Sequence, residues 1–88
     1  MKITIARPDK DEMVRKGVLK WPTWECEPSE FDWHYDQEEC CYILEGEVTV
    51  TTADEEVCIG TGDYVSFPAG LDCTWKVSKP IRKHYKFV

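Results

Sequence analysis

Apolar and polar residues alternate along much of this chain, which is the pattern of a strand with one buried face. The alternation is clearest over residues 71–77, whose apolar members are Leu71, Cys73, Trp75 and Val77. Residues 31–35 show the same period, with the aromatic members Phe31, Trp33 and Tyr35. We predict that both segments are strands and that Cys73 lies on the apolar face of its strand.

The longest run of strand-forming residues extends from Glu39 to Thr52 and is interrupted once, by Gly46. A glycine in mid-strand marks a bend, a bulge or a close backbone approach. Lys79 and Pro80 predict a turn before the last strand. Shorter strands are predicted at 2–6, 25–27, 56–59, 64–67 and 81–88. About eight or nine strands with turns at regular intervals predict an all-β sandwich or barrel.

One short helix is predicted near the N-terminus. Asp9 is a suitable N-cap, and Glu12 follows three residues later, as in a capping box. Gly17 can end the helix in a left-handed conformation. We therefore expect about two helical turns between Asp9 and Gly17.

Length and charge restrict the classes to which the protein can belong. A chain of 88 residues makes one domain, residues 1–88, and buries only roughly 60–65% of its unfolded surface. Four Trp, four Tyr and three Phe supply large side chains to that small core. A net charge of −6 argues against nucleic acid and anionic membranes as partners. No apolar run approaches the ~20 residues of a membrane helix.

The cysteine pattern argues against both a disulfide framework and a structural zinc site. The five cysteines form no CxxC or CxxH pair, and their number is odd. They are Cys26, Cys40, Cys41, Cys58 and Cys73. We expect free thiols, and hence the cytoplasm or another reducing intracellular compartment.

Two motifs resemble those of the cupin superfamily. The second cupin motif, G-x5-P-x-G-x2-H-x3-N, is matched in spacing by Gly62, Pro68, Gly70 and Cys73. Glu39 and Gly46 fit the E-x6-G that ends the first motif. The chain is most similar to the small single-domain cupins related to the ureidoglycine aminohydrolase cupin domain and to EutQ-type proteins. This resemblance implies a conical β-barrel with jelly-roll topology, a short N-terminal helix and a pocket inside the barrel.

The resemblance also implies a divalent transition metal, but the usual ligands are mostly absent. A typical cupin metal site takes two His from an HxH, a Glu shortly afterwards and a His from the second motif. Here Cys73 replaces that last His. Depending on the register, the HxH positions fall on Trp33 and Tyr35 or on Asp32 and His34. If a metal binds, its candidate ligands are Glu39, Cys73 and His34.

The two registers of residues 31–35 differ in what they bury. In the first, Phe31, Trp33 and Tyr35 point into the barrel; in the second, Asp32 and His34 do. Burial of three aromatic side chains at about 25 cal/mol per Å² is worth several kcal/mol. We therefore favour the first register.

A pocket around one buried carboxylate follows from that register. A buried Glu must become neutral or be paired by a tyrosine hydroxyl, a thiol or a cation. Alternation along the last strand places Lys83 on its inward face, so Lys83 is the candidate cation. The predicted pocket residues are Trp33, Tyr35, Glu39, Cys73, Trp75 and Lys83. Alternatively, the same residues form an aromatic core around one satisfied carboxylate.

The role of Cys73 is open at this point. A thiolate is a metal ligand and a nucleophile, but a thiol needs an electropositive neighbour to ionise. Leu71 and Trp75 beside Cys73 indicate an apolar setting, which raises the pKa of a thiol. We expect an inert residue that lines the pocket, with a ligand or nucleophile as the alternative.

Three functions fit the sequence. The first is a small cupin that binds a small molecule in an aromatic-lined pocket anchored by Glu39. The second is a metal-dependent, aminohydrolase-like enzyme with Glu39, Cys73 and either Tyr35 or His34 as ligands. The third is a structural or partner-binding module with a filled barrel. In each case we expect a homodimer, since an exposed edge strand is a template for pairing.

Overall fold

One antiparallel sheet of seven strands makes up most of the molecule. The computed structural model describes all residues, 1–88. The elements in chain order are β1 Thr4–Ala6, α1 Lys10–Lys16, a 3-10 helix Val18–Lys20, β2 Thr23–Cys26, β3 Ser29–His34, β4 Glu39–Thr51, β5 Glu56–Gly60, β6 Tyr64–Phe67 and β7 Asp72–Phe87. The all-β prediction with a short N-terminal helix is therefore confirmed.

Two long strands, β4 and β7, form the centre of the sheet and pair with each other along most of their length. On its other edge, each long strand pairs with one short strand over its first part and with a different short strand over its last part. The first part of β4 pairs with β6 and the last part with β5. In β7 the first part pairs with β3 and the later part with β2. The long strands thus connect two sets of short strands around a shared interior.

At Gly46 the backbone of β4 passes very close to that of β7. This glycine has a φ of 101°, and a Cβ built on it would lie 2.3 Å from the carbonyl oxygen of Pro80. The register between the strands also shifts on both sides of this residue. The close approach expected of a mid-strand glycine is therefore present, together with a bulge.

The predicted turn at Lys79 and Pro80 is wrong. Both residues belong to β7, so two predicted strands are one, and the total is seven rather than eight or nine. A proline is tolerated at a bulge because no ladder hydrogen bond is required of its missing N–H. Pro80 lies in that position, between the paired residues Lys79 and Arg82 and opposite Gly46.

The N-terminal helix begins and ends as its sequence predicts. The backbone N–H of Glu12 donates to Asp9 Oδ1 at 2.8 Å, and Gly17 has a φ of 71°. Met13 is its one buried residue. Neither this helix nor the 3-10 helix has the length and apolarity needed to cross a bilayer.

The core is one cluster of 14 buried residues that lies inside the curved sheet. Its members come mainly from alternate positions of β4, β6 and β7, as the period of two requires. Three charged residues are also buried, namely Glu39, Asp63 and Lys83. Asp63 accepts hydrogen bonds from Arg7 and from the backbone of Gly60 near the surface, whereas Glu39 and Lys83 lie at one end of the core.

Candidate functional site

Strand β3 adopts the register that turns its aromatic residues inward. Phe31 lies opposite Trp75 and Trp33 opposite Cys73 in the β3–β7 ladder. Tyr35, just after β3, is only 2% exposed, while His34 is exposed. Directly opposed residues of antiparallel strands share a face, so the inward face of β3 meets the apolar face of β7.

These aromatic residues surround a cavity of about 250 Å³ at the end of the core. Nine side chains line it: Trp24, Phe31, Trp33, Tyr35, Glu39, Trp75, Lys83, Tyr85 and Phe87. Trp33 is 49% exposed and Phe87 44%, so they form the mouth. Glu39 and Lys83 are at most 5% exposed and form the floor.

The floor is a buried ion pair held by a tyrosine. Lys83 Nζ donates to Glu39 Oε2 at 3.0 Å, and the Tyr35 hydroxyl donates to Glu39 Oε1 at 3.0 Å. Burial, with the nearby Glu39 charge, raises the pKa of Tyr35 far above its ordinary range. The hydroxyl therefore remains a donor at all physiological pH values, and both carboxylate oxygens have a partner.

Two indole rings flank the ammonium group of Lys83. Nζ lies 4.6 Å from the centroid of the Trp75 ring and 5.1 Å from that of Trp24, within cation–π range. An ammonium carries three N–H donors. Glu39 receives one of them, so the remaining donors face aromatic rings and the cavity.

Stacked rings give the cavity a rigid wall. Phe31 and Trp75 stack with their planes 18° apart, and Tyr35 and Phe67 with their planes 8° apart. The Phe67 ring also contacts that of Trp75, so the four rings form one continuous layer. Such packing fixes the rotamers around the ion pair and preserves the shape of the cavity.

Cys73 is buried but does not line this cavity, contrary to our expectation. Its Sγ lies 3.7 Å from the carbonyl oxygen of Trp33, inside the wall. Burial raises the pKa of the Cys73 thiol. The indole N–H of Trp75 offsets part of that rise in pKa. It has no partner in hydrogen-bond geometry, so its effect on the thiol is that of a nearby dipole. The structure thus places Cys73 within the wall, as a protonated thiol.

The candidate metal ligands His34, Glu39 and Cys73 are not brought together. No three His, Cys, Asp or Glu side chains form a group that could hold a metal ion. His34 points outward, with Nδ1 2.7 Å from Asp72. Glu39 already accepts from Lys83, and an ammonium beside a divalent cation is unfavourable. The residues present therefore do not fit the metal centre that the resemblance implied.

Four lining residues were missing from the predicted pocket, and one of them, Phe31, was predicted only to point into the barrel. Tyr85 and Phe87 share the parity of Lys83 on β7, so the alternation of that strand could have identified them. Trp24 lies opposite Lys83 in the β2–β7 ladder. No local pattern shows that pairing, and it required knowledge of which strands are neighbours.

Comparison with known families agrees with this fold. The family model for the EutQ-like cupin domain matches residues 14–85. The chain belongs to this cupin family. No curated protein matches the chain.

Solved structures extend this relationship. A DUF861 family protein from Thermotoga maritima is 51% identical, with a TM-score of 0.96 over 99% of this chain and 100% of that chain. The EutQ protein of Clostridium difficile is 22% identical, with a TM-score of 0.66 over 72% of this chain. The match spans 50% of the EutQ chain. A cupin superfamily protein from Desulfitobacterium hafniense is 11% identical, with a TM-score of 0.60 over 99% of this chain and 78% of that chain.

Proposed function

We propose that this cupin binds a small, single-ring organic molecule that carries a carbonyl or carboxylate oxygen. The observation that carries the proposal is a cavity lined by aromatic rings whose only charged groups are the paired Glu39 and Lys83. Ligand sites are typically apolar clefts with a few convergent polar groups. The cavity has that composition.

The size of the cavity limits the ligand. An apolar cavity of ~150 Å³ holds benzene. The space of about 250 Å³ here therefore accommodates one ring with a short substituent. The flat walls formed by Phe31 and Trp75 favour a planar body that stacks on them.

The polar floor selects the substituent. Both oxygens of Glu39 already accept hydrogen bonds, whereas Lys83 has donors that lack a conventional acceptor. A ligand oxygen can accept from Lys83 without breaking the ion pair. A cationic ligand is disfavoured, because the ammonium of Lys83 already occupies the space between Trp24 and Trp75.

Calorimetric titration with benzamide tests this function, since benzamide has one ring and an acceptor oxygen. We expect saturable binding with one site, and no binding of choline, a cation that aromatic cages recognise. The absence of benzamide binding, or stronger binding of choline, would contradict the proposal.

A pair of variants tests the role of the floor. The double substitution Glu39→Gln with Lys83→Met removes the donors without leaving a lone buried charge. We expect it to weaken benzamide binding by up to about tenfold, the value of one hydrogen bond. Lys86→Met is the matched control, because Lys86 lies on the same strand but outside the cavity, over the ring of Trp21. The control should bind benzamide as the wild type does.

A further inference from the structure

Lys83 is the only amine that lines the cavity, and its surroundings are those of a reactive amine. It is 5% exposed, it faces aromatic rings, and its one hydrogen-bond partner is a carboxylate. Desolvated lysines in apolar pockets are the residues that form Schiff bases with carbonyl compounds. We propose that Lys83 forms an imine with a small aldehyde or ketone whose ring occupies the cavity, an inference that rests on the binding function proposed above.

Glu39 is placed to exchange the necessary protons. Its Oε2 is 3.0 Å from Lys83 Nζ, within direct transfer distance. The Tyr35 hydroxyl holds the other carboxylate oxygen and so fixes the orientation of the acid–base group.

The proton and electron balance closes without any further reagent. Lys83 gives one proton to Glu39, and its nitrogen lone pair forms a bond to the carbonyl carbon while the π pair moves to oxygen. That oxygen takes the proton from Glu39, and the nitrogen returns a second proton to the carboxylate. The carbon–oxygen bond of the carbinolamine then breaks as Glu39 protonates the departing oxygen. The products are one water molecule, a protonated imine on Lys83 and an ionised Glu39.

The site that holds the ammonium also fits the product. A protonated imine carries a positive charge at the same nitrogen, so Trp24, Trp75 and Glu39 stabilise it as they stabilise the free amine. The ring of the former aldehyde or ketone extends from the imine towards the mouth of the cavity, between the aromatic rings of the wall. No charge is created or lost in the cavity during the reaction, so the low-polarity setting does not oppose it.

Reductive trapping of the wild-type protein tests the inference. The protein is treated with substoichiometric benzaldehyde and cyanoborohydride, and peptide mass mapping locates any lysine in which a benzyl group replaces one hydrogen. We expect Lys83 to be labelled at least about tenfold faster than Lys86, because the bound ring holds the carbonyl beside the amine. Excess benzamide should suppress labelling of Lys83 and leave that of Lys86 unchanged. Labelling of Lys83 no faster than that of Lys86 would overturn the inference.

Variants separate the imine from simple binding. Lys83→Arg keeps the positive charge but cannot form an imine, and it should lose the fast labelling. Glu39→Gln keeps the shape but cannot take up the proton, and it should slow labelling of Lys83; labelling at the wild-type rate would refute the role of Glu39. If benzamide binds but Lys83 is not labelled selectively, the imine fails and the binding function stands. If benzamide does not bind, the proposed function itself fails.

Discussion

The buried pair of Glu39 and Lys83 makes a sharp prediction about stability. We consider three substitutions at the floor of the cavity: Glu39→Gln, Lys83→Met, and both together. Coulomb's law with an effective dielectric constant of about 20 gives an attraction of about 5.5 kcal/mol for charges 3.0 Å apart. Desolvation of the two ions costs several kcal/mol each and offsets most of that gain. The intact pair therefore adds little net stability.

Removal of one partner has a different consequence, because it leaves the other charge buried and unpaired. Each single substitution should lower the free energy of unfolding by about 3–5 kcal/mol. That is a large share of the total for a domain of this size, which is on the order of 5–10 kcal/mol. The double variant should lose less than either single variant, because no lone charge remains and the amide that replaces the Glu39 carboxylate still offers an oxygen to the Tyr35 hydroxyl.

Urea unfolding at pH 7, followed by tryptophan fluorescence, measures these differences as a double-mutant cycle. The exposed pair of Lys79 and Glu47, 3.7 Å apart, supplies the control. Lys79→Met should change stability by at most about 1 kcal/mol. If the effects of Glu39→Gln and Lys83→Met simply add in the double variant, the two side chains are not energetically coupled and our description of the floor is wrong.

Three further predictions concern the barrel. Gly46→Ala should destabilise the protein by more than about 3 kcal/mol in urea unfolding, because its Cβ would lie 2.3 Å from the Pro80 carbonyl oxygen. In Gly60→Ala the new Cβ would meet no atom closer than 3.8 Å, so this control should cost far less stability. Equal effects of the two substitutions would contradict the close approach of the strands at Gly46. Iodoacetamide should alkylate exposed Cys58 well before Cys41, which is fully buried; modification of Cys41 first would refute its burial. Burial raises the pKa of the Cys41 thiol to about 12 from an ordinary value of 9.0. The unfolded chain therefore releases this proton at lower pH than the folded protein does. As a result, the free energy of unfolding should fall as pH rises from 9 to 12. Cys41→Ala should make that fall shallower by up to about 1.4 kcal/mol per pH unit, measured by urea unfolding at each pH; an unchanged slope would exclude the thiol as its cause.

Much of the fold could be predicted because its causes are local. The alternation in β3 and β7, the capping residues of α1 and the glycine in mid-strand each depend on residues close together in the sequence. The burial of Tyr35 with Glu39 followed from the preference of large aromatic side chains for the interior. Alternation along the last strand places Lys83 on its inward face, and this local pattern is enough to predict Lys83 as the partner of the Glu39 carboxylate.

Other features depend on which strands are neighbours, and the sequence does not show that directly. The chain continues through Pro80 as one strand because Gly46 of the facing strand allows a bulge there, a relation between distant residues. Trp24 reaches the cavity because β2 pairs with the later part of β7. The alternation of its strand and its position in the second cupin motif both predict Cys73 in the pocket, but it lies in the wall with its thiol against the Trp33 carbonyl.

We have proposed that the aromatic cavity binds a single-ring molecule, and the four indole N–H signals test this claim within one spectrum. Trp24, Trp33 and Trp75 line the cavity, and Trp21 does not. Titration of ¹⁵N-labelled wild-type protein with benzamide should shift the signals of the three lining indoles with one common saturation curve and leave that of Trp21 in place. Unchanged signals from the three lining indoles, or an equal shift of Trp21, would contradict the claim.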